Sequence, residues 1–178
     1  MSESTATIFT DGAASPNPGQ GGYGVVMLWN GRRQELSGGF RSTTNNRMEL
    51  LSVIMALRQF AETPVATRIY SDSKYVVDNL TSGYAAKWRS NHWRTTATRQ
   101  PAKNADLWAE LLTLTERHPI RFVWVKGHAE NPENNRCDEL AVLARQTQDL
   151  PPDEGYENLP GKPPEPPQQL QLFNCSGG

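Results

Sequence analysis

Asn30-Gly31, set between the strand-like runs 23–29 and 32–40, constrains this chain more than any other feature, because that dipeptide is a strong signal for a β-hairpin. Thr7-Ile8-Phe9-Thr10 reads as an earlier strand ending at Asp11, so three antiparallel strands open the chain. Residues 67–71 form a short strand running into Asp72, and Ser73 begins a helix at once. That arrangement places Asp72 at the carboxyl end of its strand, where α/β sheets gather their ligands. Residues 45–61 carry Met48, Leu51, Met55 and Leu50, Ile54, Leu57 at helical spacing, with Asn45 or Asn46 as N-cap and Glu49 in the first turns. Residues 106–116 read as a helix, 120–125 as a strand, and 134–147 as a last helix with Asp138 near its start. The order is βββαβααβα with an inserted segment around 81–105. It predicts an α/β fold with one mixed sheet flanked by helices.

A chain of 178 residues suggests one domain, and a core of about 150 residues buries roughly 68–70% of its unfolded surface without staples. Cys137 in a helix and Cys175 in a polar tail fit a reducing compartment. No run approaches the ~18 apolar residues of a membrane span, and Met-Ser-Glu-Ser-Thr-Ala-Thr has no leader character, so a cytoplasmic protein is expected. The net charge of −1 conceals an asymmetry: residues 1–148 hold 17 Lys+Arg against 14 Asp+Glu, and residues 149–178 hold 1 against 5. Residues 84–105 contain Lys87, Arg89, Arg94, Arg99 and Lys103 with Trp88 and Trp93 and no acid, a surface for a polyanion. Seven of the thirteen prolines fall between Pro151 and Pro167. That composition predicts a domain over 1–148 and a disordered tail over 149–178.

Four carboxylates sit in strongly featured segments: Thr10-Asp11-Gly12, Asn45-Asn46-Arg47-Met48-Glu49-Leu50, Tyr70-Ser71-Asp72-Ser73 and Arg136-Cys137-Asp138-Glu139-Leu140. Hard oxygen ligands scattered along a chain and gathered by its fold suit Mg²⁺ or Mn²⁺, and phosphodiester cleavage is the implied reaction. Any single Asp at a strand end is more often a cap or turn former, and Asp138 or Glu139 in a first helical turn would also complement the macrodipole. Glu130 and Glu133 read as solvated loop charges. Gly19-Gln20-Gly21-Gly22-Tyr23-Gly24 fits G-x-G-x-x-G, yet a strand follows it where a dinucleotide site needs a helix, so these glycines read as allowing close approach of a nucleic-acid backbone. Trp108 and Trp124 lie in apolar-periodic elements and are expected in the core.

Taken in order, Phe9-Thr10-Asp11-Gly12, Asn17-Pro18-Gly19, Gly21-Gly22-Tyr23-Gly24, Thr43-Thr44-Asn45-Asn46-Arg47-Met48-Glu49-Leu50, Asp72-Ser73-Lys74-Tyr75-Val76, Trp124-Val125-Lys126-Gly127-His128 and Arg136-Cys137-Asp138-Glu139-Leu140-Ala141 resemble bacterial type 1 ribonuclease H over residues 5–147. The resemblance implies a five-stranded mixed sheet and cleavage of the RNA strand of RNA–DNA hybrids with two divalent ions, leaving 5′-phosphate and 3′-hydroxyl ends. It implies that Asp11, Glu49, Asp72 and Asp138 bind metal and that His128 assists proton transfer or product release. Asn17, Thr44, Asn45, Asn46 and Glu49 would meet the minor groove, ribose hydroxyls and a DNA phosphate. Lys87, Trp88, Arg89, Trp93, Arg94 and Lys103 would grip the DNA backbone with little sequence preference. Lys74 stands where the family often has glutamine, and Asp78 where a neutral polar residue is common. Another nuclease or strand-transfer enzyme of this architecture, or a non-catalytic hybrid-binding module, are the rival readings.

Gln169-Leu170-Gln171-Leu172-Phe173, beyond the proline-rich spacer, resembles the short peptide by which bacterial replication and repair proteins dock on the DNA sliding clamp. Leu170, Leu172, Phe173 and Gln169 would make that contact. The spacer reaches on the order of 60 Å if extended at about 3.1 Å per residue. Nothing suggests more than a monomer.

Overall fold

The computed structural model describes residues 5–60, 62–127 and 131–159. Strands β1 (Ala6–Ala14), β2 (Gly19–Trp29), β3 (Arg32–Thr43), β4 (Thr67–Ser71) and β5 (Ile120–Trp124) form one sheet in the order β3-β2-β1-β4-β5. The β1–β2 and β2–β3 pairs are antiparallel, and β1–β4 and β4–β5 are parallel, as a hairpin followed by β-α crossovers requires. Asn30 and Gly31 both take positive φ at the β2–β3 turn, which is why that dipeptide fixes the hairpin.

Helices α1 (Asn45–Arg58), α2 (Lys74–Thr81), α3 (Tyr84–Ser90), α4 (Ala105–Arg117), α5 (Pro132–Arg145) and α6 (Glu154–Glu157) complete the fold. The main core joins Ile8, Val25 and Ile69 of the sheet to Met48, Ile54, Leu57, Trp108 and Leu111 of α1 and α4. The other face carries a smaller cluster in which Phe9 and Val26 meet Cys137 and Leu140 of α5. Side chains alternate along a strand, so β1 sends Ile8 to the first cluster and Phe9 to the second.

Several expectations are corrected. β1 continues through Asp11 to Ala14 instead of ending there. Thr44, and not Asn45 or Asn46, caps α1: its hydroxyl accepts from the Arg47 N–H at 3.3 Å. Asp138 sits mid-helix, because Asn131 caps α5 and Pro132 opens it; the first-turn acid is Glu133, which pairs with Arg33, while Glu139 pairs with Arg136. The inserted segment contains α3 and is pinned by its tryptophans: Trp88 and Trp93 pack on the core, Trp88 edge-on to Trp108 at 5.9 Å. Trp108 is buried as expected, but Trp124 is 44% exposed.

Gly21, Gly22 and Gly24 of the glycine run are buried, the last two under α5. A Cβ at Gly22 would lie 2.2 Å from the Ala141 carbonyl oxygen, and one at Gly24 2.1 Å from that of Cys137. Gly22 and Gly24 admit α5 onto the sheet; they do not face a nucleic acid.

Order does not stop at residue 149 either. Residues 150–159 lie against the domain, where buried Asp153 holds the equally buried Arg47 through Nε at 2.7 Å and Nη2 at 2.9 Å, and accepts the Thr43 hydroxyl at 2.6 Å. The Arg41 N–H donates to the Pro151 carbonyl at 3.0 Å, and its guanidinium pairs with Glu157 at 2.7 Å.

Candidate active site

Thr10 and Ser71 are paired across β1 and β4, so the next residue on each chain, Asp11 and Asp72, emerges at the same level of the sheet. Glu49 arrives from the opposite face on α1. Gly12 makes that approach feasible, because a Cβ there would stand 2.3 Å from the Met48 carbonyl carbon and 2.4 Å from the Glu49 nitrogen. Carboxylate oxygens of Asp11, Glu49 and Asp72 consequently lie within 4.8 Å of one another.

Three acids this close and this enclosed resist ionising together. Asp11 is pushed up to about 7, first by burial and then by Asp72 and Asp138, against the pull of the Gly12 N–H that donates to its Oδ1 at 2.8 Å. Burial, followed by the charges of Asp11 and Asp72, holds Glu49 well above the ordinary carboxylate range. Glu49 Oε2 is enclosed without a hydrogen-bond partner. Buried polar atoms are nearly always satisfied, and a cation would satisfy this one while relieving the repulsion. The donor set, oxygen only, suits a hard divalent ion. Asp138 on α5 is near enough to act electrostatically on Asp11 but stands outside the three-acid group.

The surroundings position these groups. The Trp124 indole N–H donates to the Asp72 carbonyl at 3.0 Å, Lys74 Nζ lies 5.2 Å from the Trp124 ring centroid, and a Cβ at Gly127 would reach within 2.6 Å of Asp72 Oδ2. Asn45 Oδ1 accepts from the Ala14 N–H at 2.5 Å, and Asn17 Oδ1 accepts from the Asn45 N–H at 3.1 Å, which ties the 15–18 turn to the start of α1. Their amide NH₂ groups remain as donors at the start of α1. Lys87, Arg89, Arg94 and Lys103 are exposed on the insertion, Arg89 paired with Glu116. His128, Gln169, Leu170, Leu172 and Phe173 lie outside the described residues.

Arg47, Asp153 and Trp124 escaped the sequence reading as parts of this frame. Arg47 did carry a signal: a cation in a first helical turn opposes the macrodipole and calls for a counter-charge. Asp153 and Asp106 supply it, Asp106 at 2.7 Å. Among the described residues no helix is long and apolar enough to cross a membrane.

The RNase H family model matches residues 3–146. The ribonuclease H of Trichodesmium erythraeum is 54% identical over 151 residues, covering 85% of this chain and 95% of that protein. The ribonuclease HI of Synechocystis is 51% identical over 153 residues, covering 85% and 94%. Among solved structures, LC9-RNase H1, a type 1 RNase H with the type 2 active-site motif, superposes with a TM-score of 0.71 at 28% identity over 84% of this chain and 76% of its own. LC11-RNase H1, solved in complex with an RNA/DNA hybrid, shares the fold with a TM-score of 0.60 at 24% identity over 78% and 95%. Family model, close relatives, sheet order and acidic triad agree, and the chain belongs to the ribonuclease H family of endoribonucleases.

Proposed function

We propose that this chain hydrolyses the RNA strand of RNA–DNA hybrids at the Asp11, Glu49, Asp72 and Asp138 site, without sequence preference, giving 5′-phosphate and 3′-hydroxyl ends. The observation that carries the reading is the convergence of three carboxylates from β1, α1 and β4 within 4.8 Å, with an unsatisfied oxygen among them. Asp11, Glu49 and Asp72 would hold Mg²⁺, Asp138 would complete the sites for two ions, and Mn²⁺ is the alternative. When bound, the ions polarise the scissile phosphate and make water acidic enough to attack at neutral pH.

The chain's own groups do the rest. Burial and mutual repulsion raise the proton affinity of Asp11 and Glu49, so a cation bound there would displace protons from them. Asn17, Asn45 and Asn46 present donors to minor-groove acceptors and ribose hydroxyls, which is how one strand is read as RNA. Thr44 and the basic face of the insertion, Lys87, Arg89, Arg94 and Lys103, hold the DNA phosphates. Trp88 and Trp93 act by bracing that insertion on the core. His128 would serve as a proton shuttle or release aid near neutral pH. LC11-RNase H1, of the same fold, has been solved with such a hybrid.

The reading extends to a cytoplasmic monomer that removes RNA primers and R-loops and is recruited by the sliding clamp through Gln169, Leu170, Leu172 and Phe173. Asp11→Asn tests the chemistry: hybrid binding is retained and cleavage lost, and an unchanged rate would refute the metal site. A labelled peptide spanning residues 159–178, titrated against the sliding clamp with Phe173→Ala as control, tests the recruitment; absence of saturable binding would refute it.

A further inference from the structure

Residues 150–159 occupy space beside groups expected to touch nucleic acid. Asn17, Thr44, Asn46 and Lys103, from separate stretches of the chain, line a single groove of about 740 Å³, and Gly155, Tyr156 and Leu159 supply part of its wall. We propose that the C-terminal segment extends the substrate-binding surface, with Tyr156 as a contact residue for the strand backbone that Thr44 and Lys103 hold. The inference rests on the hybrid-cleaving reading above.

The wall is built into the fold. Asp153 grips Arg47 with both oxygens, and Asp106 occupies the guanidinium's other edge at 2.7 and 2.9 Å. Gly155 presses flush onto that cluster: a Cβ there would stand 2.1 Å from Asp106 Oδ2 and 2.5 Å from the Arg47 guanidinium nitrogen. On the other side Glu157 is fixed by Arg41. The backbone of Tyr156 is thereby held between two anchored neighbours, and a segment ordered before binding loses little entropy when it meets a ligand.

The lining suits a phosphodiester chain. Amides, hydroxyls and an exposed ammonium are the groups that position nucleic-acid backbones, and Pro18 and Leu159 offer apolar surface to sugar faces. Arg47, the other cation of the groove, is held by two carboxylates, so it serves as the clamp and leaves phosphate contact to Lys103 and the neutral donors.

Position supplies the strand. Asn46 and Arg47 precede Glu49 on α1, so the groove lies at the start of the helix that carries one of the acids. A duplex whose scissile backbone lies on the acids presents its minor groove to Asn45 and Asn46 and sets its second backbone beyond them, against Thr44, Lys103 and Tyr156.

Full-length Tyr156→Ala, Tyr156→Phe and Leu159→Ala chains decide the matter through three readouts: affinity for a labelled RNA–DNA hybrid without divalent ion, steady-state cleavage, and thermal melting. Tyr156→Ala is expected to weaken hybrid binding and raise KM by about fivefold, with a smaller change in kcat, at an unaltered melting temperature, and Tyr156→Phe to recover part of the loss. Should Tyr156→Ala unfold, Leu159→Ala carries the same expectation at reduced size. Folded Tyr156→Ala and Leu159→Ala chains that bind hybrid as tightly as the parent would overturn the proposal while leaving the hybrid-cleaving reading intact. A parent chain that cuts no hybrid would instead sink that reading, and the proposal with it.

Discussion

Gly24 is paired with Asp11 across β1 and β2, and a methyl group placed on it would stand 2.1 Å from the Cys137 carbonyl oxygen and 2.8 Å from the Leu140 Cβ. Non-bonded carbon contacts settle at about 3.5–4.0 Å, so in Gly24→Ala the sheet and α5 must part by more than about 1 Å. Neither yields easily, since α5 also rests on Gly22 through the Ala141 carbonyl. Overpacking costs about 1–3 kcal/mol, and a clash with rigid backbone belongs at the upper end, about 3 kcal/mol. For a body of this size each kcal/mol lowers melting by about 2–4 °C, which makes the expected drop roughly 6–12 °C. Asp138 follows Cys137 on α5 and moves with it. A displacement of about 1 Å at a reacting group slows cleavage on the order of 10- to 100-fold, chiefly in kcat. Melting followed by circular dichroism and hybrid cleavage under saturating substrate measure the two effects. A Gly24→Ala chain that melts within about 2 °C of the parent and shows only a raised KM would refute the reasoning, because that pattern belongs to a glycine facing substrate.

The acidic triad makes metal binding depend on pH. Asp11 titrates near 7 in the folded chain and near 3.8 when unfolded, so without metal its contribution is fully present below about 4 and is lost as pH rises through 7, a destabilisation of a few kcal/mol. Mg²⁺ should therefore raise the melting temperature more at pH 8 than at pH 5.5 and release protons on binding; a pH-independent Mg²⁺ effect would contradict this. Asp153→Ala leaves Arg47 with Asp106 as its one carboxylate partner and orphans the Thr43 hydroxyl, at an expected cost of about 2–4 kcal/mol in denaturant unfolding, and a loss below about 0.5 kcal/mol would show the clamp to be idle. Trp124→Phe removes the donor to the Asp72 carbonyl, and calorimetry should find Mg²⁺ bound about 2- to 10-fold more weakly; identical affinity would remove Trp124 from the frame.

What the sequence disclosed was whatever short-range chemistry determines. Asn30-Gly31 declared its hairpin because few residues tolerate paired positive φ, and the α1 stripe declared its helix by period. Asp11, Glu49 and Asp72 stand out as candidate ligands because each lies in a strongly featured segment, and the β1–β4 register brings the two aspartates level for Glu49 to join from α1. Facts that depend on what arrives from far along the chain were not legible. The glycines of β2 read as substrate-facing because nothing near them in sequence reveals that α5 covers Gly22 and Gly24. Trp124 looks like core in an apolar strand, yet β5 is an edge strand and its last residue is left facing outward. The proline-rich composition beyond residue 150 concealed Asp153, whose partner lies 106 positions earlier.

That long reach bears on how the enzyme is made. At translation rates of about 5–20 residues per second, Arg47 waits on the order of 5–20 s before Asp153 exists. All four acids exist before that interval ends, but the arginine two residues before Glu49 still lacks half of its counter-charge. A prematurely stopped chain ending before Asp153 would possess every proposed metal ligand and remain unable to bury Arg47 properly. Nonsense and frameshift alleles in this stretch should accordingly be felt as loss of protein abundance, through quality control of an incompletely closed fold, before any defect in catalysis is reached.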